Sequence, residues 1–267
     1  MRSESTVGDA ASVGADFGAD AGSVRHENSK GFAGMETALH RQLKFSYAGS
    51  AAKTEVTVHG FRIDAIGKRG ELIEIQHASL GALRDKTRCL LSEQNKRVRI
   101  VKPIIVRKTL VTLDAPDGEV LRRRLSPKRG DVLDIFLDLV HFGTIFPHPK
   151  LILEVVLIEA EETRIDRARP SRRRGKRYRT LEQTLVGVES RFEFAKLNDL
   201  LALLPLGELP QQFDTAELAA AMGKPRWFAQ KVAYCLRQAG AAKLVGKRGN
   251  SQLYETKKSK QREKRVA

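Results

Sequence analysis

The sequence predicts an α/β protein with a smaller second domain at its C-terminal end. Helix-type and strand-type segments alternate over residues 35–163, which is typical of a mixed sheet flanked by helices. A run of basic residues at 164–180 then predicts a linker. Residues 181–255 are mostly helix-type and end in two short strand-type segments, which predicts the second domain. We expect residues 1–34 to be a disordered segment, because they are small, polar and interrupted by glycine. Residues 256–267 form a basic tail.

Composition excludes several classes of protein. Of the 267 residues, 41% are hydrophobic and 30% are charged, which is enough apolar material for a core. No window approaches the ~18 apolar residues of a membrane span, and the N-terminus lacks the apolar region of a secretory signal. The two cysteines fit a reducing compartment, so we expect a cytoplasmic protein with no membrane association. The loops that bind ATP or dinucleotides and the serine-hydrolase elbow do not occur in the sequence.

Charge is distributed unevenly along the chain. The net charge is +16, of which residues 1–163 carry 24 − 22 = +2 and residues 164–267 carry 24 − 10 = +14. Such asymmetry favours a polyanionic partner, and we expect nucleic acid, with DNA favoured over RNA. The alternative is a solvated basic surface or a poorly ordered tail.

The first four elements predicted are a helix, two strands and a turn between them. Leu39, Leu43 and Tyr47 lie four residues apart, which predicts an amphipathic helix over residues 35–48. Apolar and polar residues alternate over residues 54–66, which predicts a strand bent at Gly60. A two-glycine turn at 67–70 leads to a strand over 71–76. The later elements predicted are a helix over 80–94 that begins after Ser79, a strand over 98–106 in which Pro103 indicates an end or edge, a hairpin over 110–125, a helix over 131–142 and a strand over 151–158.

The C-terminal region predicts a helix–turn–helix followed by a hairpin. A helix over 194–204 comes first, and Asp214 then caps a helix over residues 215–222. Gly223 supplies a turn, and Pro225 lies near the start of a longer helix that reaches residue 239. Two short strands, 243–245 and 252–254, flank a glycine-containing turn.

The segment 213–255 resembles the winged helix-turn-helix family in this order of elements. The resemblance implies that the long helix reads base edges in a groove and that the wing contacts phosphates. The residues that it implies for nucleic-acid binding are Lys224, Arg226, Trp227, Gln230, Lys231, Lys247 and Arg248. The opposite stripe of the helix is predicted to be core and consists of Phe228, Val232, Cys235 and Leu236. Two alternatives stay open: Trp227 packs in the interior, or the module binds protein.

Two acids lie on the strands of the predicted N-terminal hairpin. Asp64 is on the first strand, and Glu74-Ile75-Gln76 follows on the second. This order of helix, strands, helix and strand over residues 35–106 resembles the PD-(D/E)XK nucleases, the restriction-endonuclease-like fold. The resemblance implies that Asp64 and Glu74 bind a divalent metal, Mg²⁺ or Mn²⁺, with Glu36 at the place of a further acidic ligand. The same block also resembles an uncharacterised bacterial domain-of-unknown-function family.

The third residue of the motif departs from that family, which normally has lysine where Gln76 stands. Glutamine cannot act as a general base, so we expect Gln76 to position a water, and Lys86 of the next helix is the candidate for the displaced lysine. The predicted function is therefore metal-dependent hydrolysis of phosphodiester bonds by Asp64, Glu74, Gln76 and Lys86. The alternatives are a nucleic-acid-binding or regulatory protein on an inactive nuclease scaffold, or a protein-interaction scaffold. A separate alternative for the motif is that Asp64 and Glu74 are exposed polar positions of a half-buried hairpin.

Overall fold

The computed structural model describes residues 36–50, 53–92, 96–167 and 177–256. The predicted disordered segment 1–34 and the tail beyond Thr256 lie outside the described residues. The helices of the structure are α1 Ala38–Ala48, α2 Arg84–Ser92, α3 Ile135–Phe142, α4 Leu197–Leu201, α5 Thr215–Met222 and α6 Arg226–Gln238. The strands are β1 Thr54–Val58, β2 Phe61–Ile66, β3 Leu72–Ile75, β4 Val98–Leu113, β5 Val120–Leu125, β6 Leu151–Asp166, β7 Tyr178–Phe194, β8 Gln212–Phe213, β9 Ala242–Arg248 and β10 Ser251–Thr256.

Seven strands form one mixed sheet in the order β1-β2-β3-β4-β6-β7, with β5 paired to β4. The first three strands are antiparallel neighbours, whereas β3, β4 and β6 run parallel. Because parallel strands need a crossover, α2 connects β3 to β4 and α3 lies between β4 and β6. A separate three-stranded sheet has the order β8-β10-β9. The predicted α/β class, a large mixed sheet flanked by helices, is confirmed.

The large sheet has a helix layer on each face. Helix α1 begins after Thr37, whose hydroxyl accepts a hydrogen bond from the His40 backbone N–H. Its apolar stripe, Leu39 and Leu43, is fully buried against one face of the sheet. The residues of the sheet that pack with this stripe are Ala65, Ile73, Ile75, Val101, Val156, Ile158 and Ala160. Helices α2 and α3 pack against the other face, so the hairpin β2–β3 lies between the two helix layers.

Strands β4 and β6 extend far beyond the ends predicted for them, residues 106 and 158. Each has 16 residues, and their distal halves carry charged side chains that pair across the strands. Lys108 of β4 lies 2.8 Å from Glu162 of β6, for example. Val101 is the last residue of β4 that pairs with β3, and Pro103 comes two residues later. On the β3 side, Pro103 therefore faces no partner strand among the described residues, which suits a residue without a backbone N–H.

The predicted linker 164–180 is wrong at both of its ends. Arg164 lies inside β6, is buried, and stacks over the Tyr178 ring with its guanidinium carbon 4.4 Å from the ring centroid. Tyr178 begins β7, which pairs with β6 over its length and is part of the large sheet. Residues 168–176 lie outside the described residues. The predicted domain boundary at 163 therefore falls within a strand of the main sheet.

The C-terminal helices pack directly on the sheet domain. Helix α6 contacts α3, where the Cys235 thiol lies 3.6 Å from the carbonyl oxygen of Phe136. Lys224 forms an ion pair with Asp131, which precedes α3. The buried residues of α5 and α6 join the same hydrophobic cluster as those of α2 and α3. The two predicted domains thus share one continuous core.

Two further expectations concern the surface. None of the helices in the described ranges combines the length and the apolar character needed to cross a membrane. Cys235 is buried, as its place on an apolar helix stripe predicts, but Cys89 is exposed on α2.

Candidate functional site

Asp64 and Glu74, the acids of the predicted hairpin, lie where the pairing of β2 with β3 ends. The ladder pairs Ala65 with Ile73, so the next pair along it is Asp64 and Glu74. One Asp64 carboxylate oxygen accepts the backbone N–H of Ile75 at 2.8 Å. The Asp64 charge also acts on Glu74, since it helps to raise the pKa of that carboxyl. The two acids therefore lie next to each other on adjacent strands.

Lys86 completes the predicted catalytic set from the α2 side. Its ammonium nitrogen lies 2.6 Å from Glu74 Oε1 and also donates to the carbonyl oxygen of Arg62 at 2.5 Å. The Lys86 ammonium is therefore the partner of this buried carboxylate oxygen and balances its charge. A buried carboxylate is expected to be paired in this way.

His40 and Glu36 approach the same pair of acids from α1. His40 Nε2 lies 3.4 Å from Asp64 Oδ1 and 3.5 Å from Glu36 Oε1. Glu36 also forms an ion pair with Lys44, and its carboxylate is thus directed along α1. The imidazole of His77, just after β3, lies 5.6 Å from that of His40. Glu36 is therefore next to the site and is held by Lys44 and His40.

The surroundings shift the pKa values of the two acids in opposite directions. Burial raises the pKa of Glu74 above its ordinary value, and the nearby Asp64 charge adds to that effect. Burial also opposes ionisation of Asp64, but hydrogen bonds from His40 and the Ile75 N–H outweigh it and lower the pKa of Asp64. Burial disfavours the charged form of His40, yet its bond to Asp64 outweighs this and raises the pKa of His40. Carboxyls whose pKa values are pushed apart are typical of functional sites.

Gln76 faces the loop that follows β3. Its side-chain amide nitrogen donates to the carbonyl oxygen of Ser79 at 3.0 Å. Buried Lys102 holds the same loop from β4, because its ammonium donates to the carbonyl oxygens of His77 and Ala78 at 3.1 and 2.6 Å. Asp138 of α3 lies 3.0 Å from that ammonium.

Sequence reasoning did not identify Lys102, Asp138 or His40 as neighbours of the site. For Lys102 and Asp138 a signal existed: each is a charged residue inside an apolar run, VRIVKPIIV and DIFLDLVHF. A charge in such a run is expected to be paired when it is buried. For His40 the sequence offered only its place one helical turn after Glu36.

Asp64 and Glu74 give this site two carboxylates, which are possible ligands of a divalent cation. Over the described residues no group of three His, Cys, Asp or Glu is placed to hold a metal ion. Mg²⁺ nevertheless keeps several waters and takes only one or two carboxylates. Asp64 and Glu74 supply that number of carboxylates, so the donor set fits such a site, with the Lys86 ammonium beside it.

Three of the residues predicted to bind nucleic acid make contacts within the protein. Lys224 pairs with Asp131. Arg226 donates to the hydroxyls of Thr215 and Ser251 at 3.2 and 2.7 Å, which joins α5 and β10 to α6. Arg248, at the end of β9, lies 3.0 Å from Glu217 of α5.

The other four lie at the surface. Trp227 is 51% exposed, Gln230 and Lys247 are exposed, and Lys231 is half-buried. The predicted core stripe of α6 is buried at all four of its positions, Phe228, Val232, Cys235 and Leu236.

Comparison with known proteins identifies the family. A model described as "Domain of unknown function (DUF8091)" matches residues 37–195. The chain belongs to the DUF8091 family. An uncharacterized protein of Treponema pallidum (strain Nichols) is 31% identical over 220 residues, which cover 82% of this chain and 84% of that protein. No solved structure matches the chain. The predicted resemblance to a domain-of-unknown-function family is confirmed, and the DUF8091 match spans the sheet from α1 to the end of β7 and includes Asp64, Glu74 and Lys86.

Proposed function

We propose that this DUF8091 protein is a metal-dependent nuclease that hydrolyses phosphodiester bonds in nucleic acid. The observation that carries the proposal is the pair of acids on adjacent strands, Asp64 and the buried Glu74, with the Lys86 ammonium 2.6 Å from Glu74 Oε1. The surroundings raise the pKa of Glu74 and lower that of Asp64, and carboxyls whose pKa values are pushed apart are typical of functional sites.

Each residue of the site has a role in this proposal. Asp64 and Glu74, with the Ile75 carbonyl, would hold Mg²⁺ or Mn²⁺. The metal polarises a phosphoryl oxygen and lowers the pKa of a water when it is bound. Lys86 would contact the phosphate, and the Gln76 side-chain oxygen would accept a hydrogen bond from the attacking water, because the amide nitrogen is bonded to Ser79.

The order of elements supports the proposal. Helix α1, antiparallel strands β1 to β3, helix α2 and the parallel strand β4 follow one another as the resemblance to PD-(D/E)XK nucleases implies. Helices α5 and α6 and the β9–β10 hairpin follow the order of a winged helix-turn-helix. The net charge of +16 favours a polyanionic substrate.

A second candidate is a nucleic-acid-binding protein that does not cleave. The observation that favours it is Gln76, which stands where the related nucleases have lysine and whose amide nitrogen is bonded to the loop. In that case Lys86 is a permanent counter-ion of Glu74, and the site only stabilises the fold.

The test is a cleavage assay with plasmid and single-stranded DNA in the presence of Mg²⁺ or Mn²⁺. We expect Asp64→Asn and Glu74→Gln to abolish cleavage and Lys86→Ala to reduce it about 10- to 100-fold. Asp85→Asn is the matched control, since Asp85 precedes Lys86 on α2 but is exposed and forms an ion pair with Arg88. We expect it to cleave like the wild type.

Metal binding gives a readout that does not depend on cleavage. Mg²⁺ at about 100 times its Kd should stabilise the wild type by about 2.7 kcal/mol, and should not stabilise Asp64→Asn. Binding of DNA without cleavage in either metal, together with an unchanged melting temperature, would establish the second candidate instead.

A further inference from the structure

The solvent face of α6 presents two aromatic rings in line. Trp227 is 51% exposed and Tyr234 is 39% exposed. They are seven residues apart, which is close to two full turns, so both rings lie on the same side of α6 and about 10 Å apart along its axis. The buried Phe228 packs edge-on against Trp227, with ring centroids 5.8 Å apart at 75°, and orients the exposed ring. Exposed rings in line on one face offer flat surfaces on which a partner can stack.

The charged residues that α6 itself carries beside the rings are positive. Lys231 lies between the two aromatic residues, and Arg237 follows Tyr234 by three residues. Between Glu217 and Glu255 the sequence has seven basic residues and no acidic one. The occupant of this face must therefore combine negative charge with flat apolar surfaces, which is the chemistry of a polynucleotide.

The contacts of the neighbouring residues favour a single strand over a duplex. A helix that reads the major groove does so with long polar side chains at its N-terminal end. Here Lys224 and Arg226 at that end are bonded to Asp131, Thr215 and Ser251. The residues left facing solvent include the two rings, and a ring can stack only on a base that is not enclosed in a duplex.

We propose that Trp227 and Tyr234 on the solvent face of α6 form a stacking platform for single-stranded nucleic acid, with Lys231 and Arg237 contacting its phosphates. The proposal deepens the proposed function, since it names the form of nucleic acid that the chain binds. It does not depend on cleavage, because α6 lies outside the site of Asp64 and Glu74.

The single tryptophan of the chain allows a direct test, since Trp227 alone contributes tryptophan fluorescence. The full chain carrying Asp64→Asn is titrated in EDTA with single-stranded oligo-dT, with a duplex of equal length, and with heparin. We expect oligo-dT to quench the emission strongly, and the duplex and heparin to quench it little. In anisotropy measurements with labelled oligo-dT, Trp227→Ala and Tyr234→Ala should each weaken binding about 5- to 150-fold.

Two variants control for trivial effects. Phe45→Ala removes a ring that is equally exposed, at 50%, but lies on α1, and should leave the affinity unchanged. Tyr234→Phe keeps the ring and should bind like the wild type. The proposal is overturned if oligo-dT leaves the emission unchanged, if the duplex binds as tightly as the single strand, or if Phe45→Ala weakens binding as much as Trp227→Ala. If one of these results were found while the wild type still cleaved DNA, the stacking platform would be refuted and the nuclease proposal would stand. If oligo-dT quenched the emission but the wild type did not cleave DNA, the nuclease proposal would be refuted and the platform would stand.

Discussion

Replacing Lys86 with methionine tests the electrostatics of the candidate site through protein stability. The substitution keeps the length and apolar stem of the side chain and removes its charge, so Glu74 is left as a buried carboxylate without a counter-ion. The Glu74 side chain is 7% exposed and that of Lys86 is 19% exposed, so solvent screens their interaction only weakly. We therefore expect a large loss of stability at neutral pH.

The size of the loss follows from the burial of the pair. Breaking a buried ion pair by removing one partner costs about 3–5 kcal/mol. The lower end, about 3 kcal/mol, applies here because Lys86 is partly exposed. For a folded region of this size the melting temperature should fall by about 6–12 °C.

The loss should depend on pH in a defined direction. Burial already raises the pKa of Glu74, and removal of Lys86 raises it further. A carboxyl whose folded-state pKa is above its unfolded value favours the folded state when protonated, and this contribution is lost as the pH rises through the folded-state pKa. The penalty of Lys86→Met is therefore greatest at neutral pH and shrinks as the pH falls and Glu74 gains a proton.

Denaturant unfolding of four chains at several pH values measures these effects. The double variant Glu74→Gln, Lys86→Met should recover most of the lost stability, because no buried charge is left. Arg88→Met is the matched control on the same helix: its pair with Asp85 has side chains that are 62% and 91% exposed, and its loss should cost less than about 0.5 kcal/mol. A penalty that is independent of pH, or that persists in the double variant, would refute the electrostatic explanation.

Three further outcomes are expected. Glu74→Gln alone should be more stable than the wild type at pH 7, with the difference vanishing as the pH falls below 4.5, the ordinary pKa of the group; a melting-temperature series against pH measures it. Gly130→Ala should cost about 1–3 kcal/mol in denaturant unfolding, since a Cβ there would lie 2.5 Å from a methyl group of Ile104. A thiol reagent should label Cys89 in the folded protein but not Cys235, which is buried and whose pKa burial raises to about 12.

Features that depend on residues close together in the chain, such as helix ends, could be predicted from the sequence. Asp214 caps α5 through hydrogen bonds from the N–H groups of Ala216 and Glu217, and Gly223 ends it in the left-handed conformation, as short-range signals indicate. The hairpin acids were predictable for the same reason, because Asp64 and Glu74 flank a single turn. Lys86 was within reach since α2 directly follows β3.

The distal halves of β4 and β6 and the start of β7 could not be predicted, because their charged residues resemble those of a loop. The basic run after residue 163 has the composition of an exposed linker. In the structure the charge of Arg164 is accommodated by Tyr178 and by the Thr112 hydroxyl, which lies 52 residues away in sequence. Strand pairs over such separations bury polar groups that periodicity alone assigns to solvent. Lys102 and Asp138, which hold the loop after β3, are a second case.

The distribution of charge assigns the two proposed steps, nucleic-acid binding and cleavage, to different parts of the chain. The candidate site is rich in carboxylates, which repel phosphates, and it alone gives little affinity for nucleic acid. Beyond residue 163 the net charge is +14, of which residues 164–179 carry 9 − 1 = +8 and residues 257–267 carry 6 − 1 = +5, so we expect the C-terminal region to supply the affinity. Loss of the Trp227 ring should therefore raise KM and leave kcat nearly unchanged, whereas Lys86→Ala should lower kcat with little effect on KM. If both substitutions changed the same constant, the binding surface and the carboxylate site would act as a single unit.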